Sequence, residues 1–156
     1  MRKTATILGA LAIAAVATPA HAETETRIET RGGVAWANGA EEAVAGVAAG
    51  VDFDLGQEES GSVFFGVEAS ADKILASGAD VVWGTTARLG AKVGNGGKIY
   101  ATGGYSFGEG EDVPHLGAGY EQKLGGSGVY LKGEYRHFFS DFVDVNTAVV
   151  GVGYKF

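Results

Sequence analysis

Cysteine is absent from this sequence of 156 residues, and proline and histidine occur only two and three times. Without cysteine the protein forms neither disulfide bonds nor thiolate metal sites, so its fold depends on packing and backbone pairing. Basic residues are also scarce, because 12 Lys and Arg stand against 19 Asp and Glu. Nucleic-acid-binding proteins carry a basic footprint, and this balance therefore predicts no nucleic-acid partner.

Long apolar runs are also missing, and the one continuous apolar stretch lies close to the N-terminus. Met1-Arg2-Lys3 is a basic start, residues 7–16 are apolar apart from one glycine, and Ala20-His21-Ala22 is a small-x-small triplet. Ten apolar residues are too few for a helix that spans a bilayer core, which needs about 20. The order of these parts predicts a secretory signal peptide over residues 1–22, with Ala20 and Ala22 as the small residues of its cleavage site.

Cleavage after Ala22 leaves residues 23–156 as one domain of 134 residues (156 minus 22). Because Arg2 and Lys3 are lost, the remaining net charge is 10 minus 19, or −9. Glycine is abundant, with 27 of 156 residues, roughly two and a half times the average usage of about 7%. These glycines are dispersed through apolar, strand-like segments and are not collected in a linker, which predicts a use for them within strands.

The remaining chain consists of short segments of alternating polarity, separated by clusters of Gly, Asn, Asp, Glu and Ser. Their length suits tilted strands that cross a membrane. An even number of such strands places both termini on one side, together with Gly-rich turns at 56–61, 94–97 and 125–128. A helix over 41–51 is the competing interpretation, but its apolar residues recur at every second position and favour a strand. The eight predicted strands run over 27–36, 44–55, 63–72, 80–93, 98–107, 113–124, 129–138 and 145–156.

The two faces of these strands differ, since one is apolar and the other carries glycines and charges of both signs. Buried charges are tolerated only when paired, and eight strands enclose an interior just wide enough for side chains. The balance of signs therefore predicts a narrow barrel with its charges inside. The charges predicted to line its lumen are Arg27, Arg31, Arg88, Lys92, Lys123, Lys132 and Arg136, with Glu29, Asp52, Asp54, Glu68, Asp72, Glu121 and Glu134.

A soluble sandwich or lipocalin-like barrel is the alternative, and it would bury the apolar face inward. Two observations favour a membrane barrel instead. The apolar face is almost free of charge along all eight segments, and aromatic residues lie near segment ends, where interfacial girdles belong. These aromatics are Trp36, Trp83, Tyr105, Phe107, Tyr154 and Phe156.

Three segments resemble a known family. Residues 150–156 (VGVGYKF) alternate apolar residues and end on an aromatic, and they resemble the C-terminal strand of outer-membrane β-barrels. Residues 129–136 and 100–105 resemble strands of the porin-like, opacity-type outer-membrane protein family, with its OmpA/OmpX-like barrel. The resemblance implies an all-β, eight-stranded antiparallel up-and-down transmembrane β-barrel in the bacterial outer membrane, without catalytic residues. It also implies insertion by the outer-membrane assembly machinery, which reads the final strand with Val152, Tyr154 and Phe156.

Few residues are suited to catalysis or metal binding. His115 is expected at the rim, and the acidic residues Glu109, Glu111 and Asp112 are expected in a solvated connector, so no metal or cofactor is predicted. His137 and Ser140 are close to Asp141 and would suit a lipid esterase at the membrane rim. In an extended chain, however, residues 137 and 140 point to opposite faces.

The predicted function is therefore a non-enzymatic, monomeric barrel with a structural or surface-interaction role and a packed, charge-paired lumen. Its expected partners are outer-membrane lipids, lipopolysaccharide and the assembly machinery. A narrow porin that passes water or small ions is the first alternative. An esterase that uses His137 and Ser140 is the second.

Overall fold

The computed structural model describes residues 24–56, 62–108 and 112–156, and it forms one closed barrel. Each strand pairs antiparallel with its neighbours in sequence, and β1 also pairs with β8. The predicted fold class is confirmed, whereas the predicted signal peptide lies outside the described residues. The strands are β1 (Thr24–Ala37), β2 (Ala40–Asp54), β3 (Val63–Ile74), β4 (Val81–Val93), β5 (Gly97–Phe107), β6 (Val113–Lys123), β7 (Val129–Phe138) and β8 (Val145–Lys155).

The segment with helical composition belongs to β2, which extends from Ala40 to Asp54. The strand prediction for residues 41–51 is confirmed, because period-two alternation lets one face of the segment join the barrel wall. Among the described residues, none forms a helix long and apolar enough to cross a membrane.

The turn between β1 and β2 is shorter than expected. The predicted strands end at residue 36 and resume at residue 44, but the observed strands pair as far as Ala37 and Ala40 and leave only Asn38 and Gly39 between them. Both turn residues have positive φ angles, 48° and 82°, as a two-residue type I′ hairpin turn requires. The dipeptide Asn-Gly is the usual sequence of this turn, so the predicted longer connector was wrong.

Both ends of the described chain meet at one end of the barrel, which we call the terminal end. The Phe156 N–H donates to the Thr26 carbonyl at 3.0 Å, and the Thr26 N–H donates to the Phe156 carbonyl at 3.1 Å. The connectors β2–β3, β4–β5 and β6–β7 lie at this end too. The opposite end, which we call the distal end, carries the connectors β1–β2, β3–β4, β5–β6 and β7–β8.

Burial in this barrel is inverted relative to a soluble protein. In the described part of the chain, 17 polar or charged residues are buried against seven apolar or aromatic ones. Large apolar side chains instead face outward, among them Leu89 at 56% and Val150 at 65% exposure. The soluble alternative with an apolar interior is therefore wrong for this fold.

Candidate functional site

A single connected set of ion pairs fills the lumen, and we call it the lumen network. All eight strands contribute to it, so it cross-links the wall from inside. Within the described chain it contains seven cations and seven carboxylates and is neutral as a whole. Its members are Arg27, Arg31, Arg88, Lys98, Lys132, Arg136 and Lys155, with Glu25, Glu29, Asp52, Glu68, Asp72, Glu121 and Glu134.

Glu68 is the centre of this network, and its side chain is 2% exposed. Its carboxylate lies 2.8 Å from Arg27 Nη2, 2.8 Å from Arg136 Nη2 and 3.1 Å from Arg31 Nη1. Lys132 Nζ is slightly further away at 3.7 Å. Four cations from β1 and β7 therefore share one carboxylate on β3. Such an arrangement offsets the desolvation of buried charges only because every partner is in place.

Asp52 is a second shared carboxylate, with Lys98 Nζ at 2.8 Å, Arg27 Nη1 at 3.2 Å and Arg88 Nε at 3.5 Å. Glycine makes room for these groups in the wall. A methyl group added at Gly50 would lie 2.7 Å from the Val67 carbonyl oxygen and 2.5 Å from Arg27 Nη1, so the wall and the guanidinium would both have to shift. Glycine on the lumen face of the strands thus has the space-making use that the sequence predicts.

The network closes at the terminal end through residues that the predicted list omits. Glu25 lies 2.6 Å from Lys98 Nζ and 2.9 Å from Lys155 Nζ, and Lys155 also pairs with Glu121. Lys98 and Lys155 face the lumen, because each lies directly opposite a predicted lumen charge on a neighbouring strand: Lys98 opposite Glu121, and Lys155 opposite Arg27. Extending the parity rule to the first and last residues of each strand would therefore have found them.

Aromatic rings fill the space between the charges. The Tyr100 hydroxyl donates to Glu134 at 3.0 Å, and the Tyr130 hydroxyl donates to Glu29 at 2.8 Å. The Arg88 guanidinium lies 4.0 Å from the centroid of the Tyr100 ring, a cation–π contact. Tyr130 is fully buried, and Tyr100 is 3% exposed. Rings and ion pairs together leave the middle of the lumen packed.

The predicted lumen charges lie in three different settings. Eleven of the fourteen belong to the lumen network. Lys92 and Asp54 form a separate pair near the terminal end, where the Lys92 side chain is 38% exposed. Lys123 is half-buried, and it forms no ion pair with the residues that the structure describes.

His115 lies inside the barrel, so its predicted place at the rim was wrong. Its ring nitrogens lie 3.0 Å from the Thr86 and Ser106 hydroxyls, and the residue is 1% exposed. Pro114 points outward from β6, and alternation therefore turns His115 inward. Enclosed between two hydroxyls, the imidazole has no access to a substrate.

His137 and Ser140 lie near the distal end, with His137 on the outer wall and Ser140 in the β7–β8 connector. The His137 ring contacts Asn146 Oδ1 through Nδ1 at 2.8 Å and Asp144 through Nε2 at 3.5 Å. The Ser140 hydroxyl oxygen accepts the Phe142 N–H at 3.2 Å. Among the described residues, no group of three or more His, Cys, Asp or Glu side chains is arranged to hold a metal ion.

No family model matches the chain, and no curated protein matches its sequence. Solved structures nevertheless share its fold. The N-terminal β-barrel domain of Pseudomonas aeruginosa OprF matches with a TM-score of 0.63 at 14% identity, covering 86% of this chain and 99% of the domain. Neisserial surface protein A matches with a TM-score of 0.58 at 14% identity, with coverage of 86% and 99%.

The outer-membrane enzyme PagL also matches, with a TM-score of 0.63 at 10% identity, covering 82% of this chain and 98% of PagL. At such low identities the likeness concerns the fold alone. The chain therefore has the fold of small, eight-stranded bacterial outer-membrane β-barrels, with a charge-paired interior.

Proposed function

We propose that this protein is an integral barrel of the bacterial outer membrane with a closed lumen and a structural or surface-interaction role. The lumen network carries this proposal, because it packs the interior with paired charges from all eight strands. The proposal takes residues 23–156 as the mature, monomeric barrel. Its partners would be outer-membrane lipids, lipopolysaccharide and the assembly machinery.

The outer wall supports a membrane location. Strands of 10 to 15 residues are long enough to cross a bilayer, which takes about 9 to 11 residues for a tilted strand. Half-exposed Leu, Ile and Val side chains cover the middle of the wall. Aromatic side chains such as Trp83, Tyr105 and Phe156 are 46%, 45% and 66% exposed near strand ends, as in the aromatic girdles of membrane barrels.

A closed lumen follows from the cost of opening it. A conducting path would have to displace buried, ion-paired charges such as Glu68 or Arg88, and breaking a buried pair costs about 3–5 kcal/mol. Refolded protein in planar bilayers should therefore show no stable conductance steps. Insertion is verified separately in vesicles of the same lipid, by protease protection and by gel mobility that shifts on heating. Reproducible unitary steps would contradict the closed lumen and favour the narrow porin.

The esterase alternative has one favourable observation, the orientation of His137. The Tyr135 hydroxyl donates to Asn146 Oδ1 at 2.6 Å, so this oxygen is an acceptor and His137 Nδ1 donates to it. That leaves Nε2 as the basic nitrogen, as a general base requires. Against it, the Ser140 hydroxyl oxygen accepts N–H groups of its own connector. We propose that the protein is not an enzyme.

Mass spectrometry can test the esterase alternative. The refolded protein is incubated with phospholipid or lipopolysaccharide, and released fatty acid is measured. We expect no release above a protein-free control. Release that disappears in both His137→Ala and Ser140→Ala would overturn the non-enzymatic proposal, whereas release unchanged in both variants would come from a contaminant.

The export and assembly signals remain part of the proposal. Val152, Tyr154 and Phe156 form an outward stripe on the last strand, with exposures of 50%, 47% and 66%. Deletion of Phe156 should reduce insertion several-fold while export stays intact, and Phe142→Ala is the control because Phe142 is an exposed aromatic outside the strands. Equal membrane insertion of both variants would contradict the assembly signal.

The signal peptide has its own test. N-terminal sequencing of the mature protein should give a sequence that begins at residue 23.

A further inference from the structure

Almost all cations of the mature chain are used inside the barrel. Residues 23–156 contain 10 Lys and Arg, of which seven belong to the lumen network and Lys92 pairs with Asp54. Lys123 lies at the terminal end. The tenth, Lys73, is exposed at the distal end of β3 and forms no ion pair with any described residue. It is thus the one cation that the described strands place on the outer wall.

Below Lys73 the outer wall is concave. Two adjoining depressions of about 910 and 800 Å³ share Ala49, Ala69 and Thr85, so they form one groove across β2, β3 and β4. We call it the wall groove. Its floor is made of small side chains on neighbouring strands, since Ala49 pairs with Ala69 and Ala69 with Thr85. Larger side chains border it, namely Ile28 and Tyr154 on one side and Trp83, Tyr105 and Phe107 on the other.

Lys73 lies just beyond the groove, two positions after its lining residue Ala71 on β3. Ala69, Ala71 and Lys73 follow one another on the outer face of β3, and each step of two residues covers about 6.6 Å. Trp83 pairs with Ala71 across the β3–β4 ladder, so an interfacial aromatic borders the groove at this height. Lys73 lies one such step further, opposite Val81. A lysine this close to an interfacial Trp marks the head-group region of a membrane, where the lysine stem lies along apolar surface and its ammonium reaches the interface.

We propose that the wall groove binds a phospholipid, with its acyl chains against the alanine floor and its phosphate against the Lys73 ammonium. This inference rests on the proposed membrane location. Charge complementarity selects the head group, because a single cation matches a single phosphate. The exposed carboxylates Glu41 and Asp80 near the same end disfavour a glycolipid with several phosphates.

A second copy of the chain fits the groove less well. A two-fold dimer would place the same surface patch on both subunits. Two concave patches facing each other leave a void, and protein interfaces are packed as densely as interiors. A flexible acyl chain, in contrast, fills an apolar depression without requiring a matching surface.

Trp83 provides a direct test, because it borders the groove. A Trp36→Phe background leaves Trp83 as the only tryptophan. This variant is titrated in dodecyl maltoside micelles with phosphatidylethanolamine that carries brominated acyl chains, which quench nearby tryptophan. We expect saturable quenching. Lys73→Gln should weaken the apparent affinity by about fivefold, the contribution of one cation near a phosphate surface, and Lys123→Gln is the matched control without effect.

Filling the groove tests the second part of the proposal, the contact between the acyl chains and the alanine floor. Ala69→Phe should abolish the saturable quenching, whereas Ala118→Phe, on the outer wall of β6 outside the groove, should leave it unchanged. Quenching that rises linearly, or that is insensitive to both Lys73→Gln and Ala69→Phe, would overturn the site. Displacement of the brominated lipid by lipopolysaccharide with the same Lys73 dependence would overturn the choice of phospholipid.

The two proposals fail in different ways. Each variant is first inserted into liposomes and checked by gel mobility that shifts on heating. If the parent protein does not insert, the membrane location is wrong. If it inserts and shows no saturable quenching, only the lipid site is wrong.

Discussion

Removing the Glu68 carboxylate is the sharpest test of the closed lumen. In Glu68→Ala, Arg27, Arg31, Arg136 and Lys132 keep their positive charges but lose the carboxylate that they share. The side chain is 2% exposed, so water does not replace it without opening the wall. Leaving a buried charge without its partner costs about 3–5 kcal/mol, and the free energy of unfolding should fall by that amount.

Asp54→Ala is the matched control, since it also removes one carboxylate from an ion pair on the lumen face. Its partner Lys92 is 38% exposed and becomes hydrated when the pair is lost. Such pairs contribute about 0.2–1 kcal/mol. The two variants should therefore differ by roughly 2 kcal/mol or more, although each loses one negative charge.

Urea-induced unfolding from phospholipid vesicles measures both values. Trp36 and Trp83 lie on the outer wall, so their fluorescence reports the loss of the lipid environment. Glu68→Gln, which keeps the volume of the side chain, should fall between the parent and Glu68→Ala. Equal unfolding midpoints for Glu68→Ala and Asp54→Ala would refute the reasoning, because they would mean that water fills the lumen and screens its charges.

Two glycine positions yield further predictions with internal controls. Gly119→Ala should destabilise the barrel by about 1–3 kcal/mol, because its methyl group would lie 2.5 Å from the Tyr100 ring; Gly133→Ala, with nothing within 4 Å, should not. Gly39→Ala should cost about 1 kcal/mol, because Gly39 has a φ of 82°. Gly126→Ala, a turn glycine without positive φ, is its control. Urea midpoints check both pairs, and either pair behaving alike would contradict the assigned cause.

The strand order and the two faces were predictable from sequence because of the strict period of two. A shift of one residue would exchange all inward and outward side chains, so alternation over many strands leaves one consistent assignment. Strand ends were less predictable. The β1 and β2 strands continue to Ala37 and Ala40 because Asn38 and Gly39 close the hairpin in two residues, a local signal that alternation alone does not contain.

The partners within the lumen were not predictable from parity. Arg27 and Glu68 lie 41 positions apart on β1 and β3, strands that do not pair with each other. Their contact depends on the stagger and diameter of the closed barrel. Phe64 and Tyr100 were equally hard to place, since an aromatic residue fits the lipid-facing wall by composition. They turn inward because their strand positions share the parity of Glu68 and Lys98.

The lumen network also determines which residues contribute to the protein's external electrostatic field. Eight carboxylates and eight cations form ion pairs on the lumen face of the described strands, so these pairs are neutral together and the net charge of −9 of residues 23–156 comes from its other residues. Among the described residues, the remaining carboxylates all lie at the distal end and are exposed: Glu41, Glu42, Asp80, Asp112, Asp141 and Asp144. Because the neutral lumen network adds no long-range field, electrostatic selection of a surface partner at the distal end would depend on these exposed carboxylates. Salt should weaken that selection, since exposed charges are screened within about 10 Å at 0.1 M ionic strength.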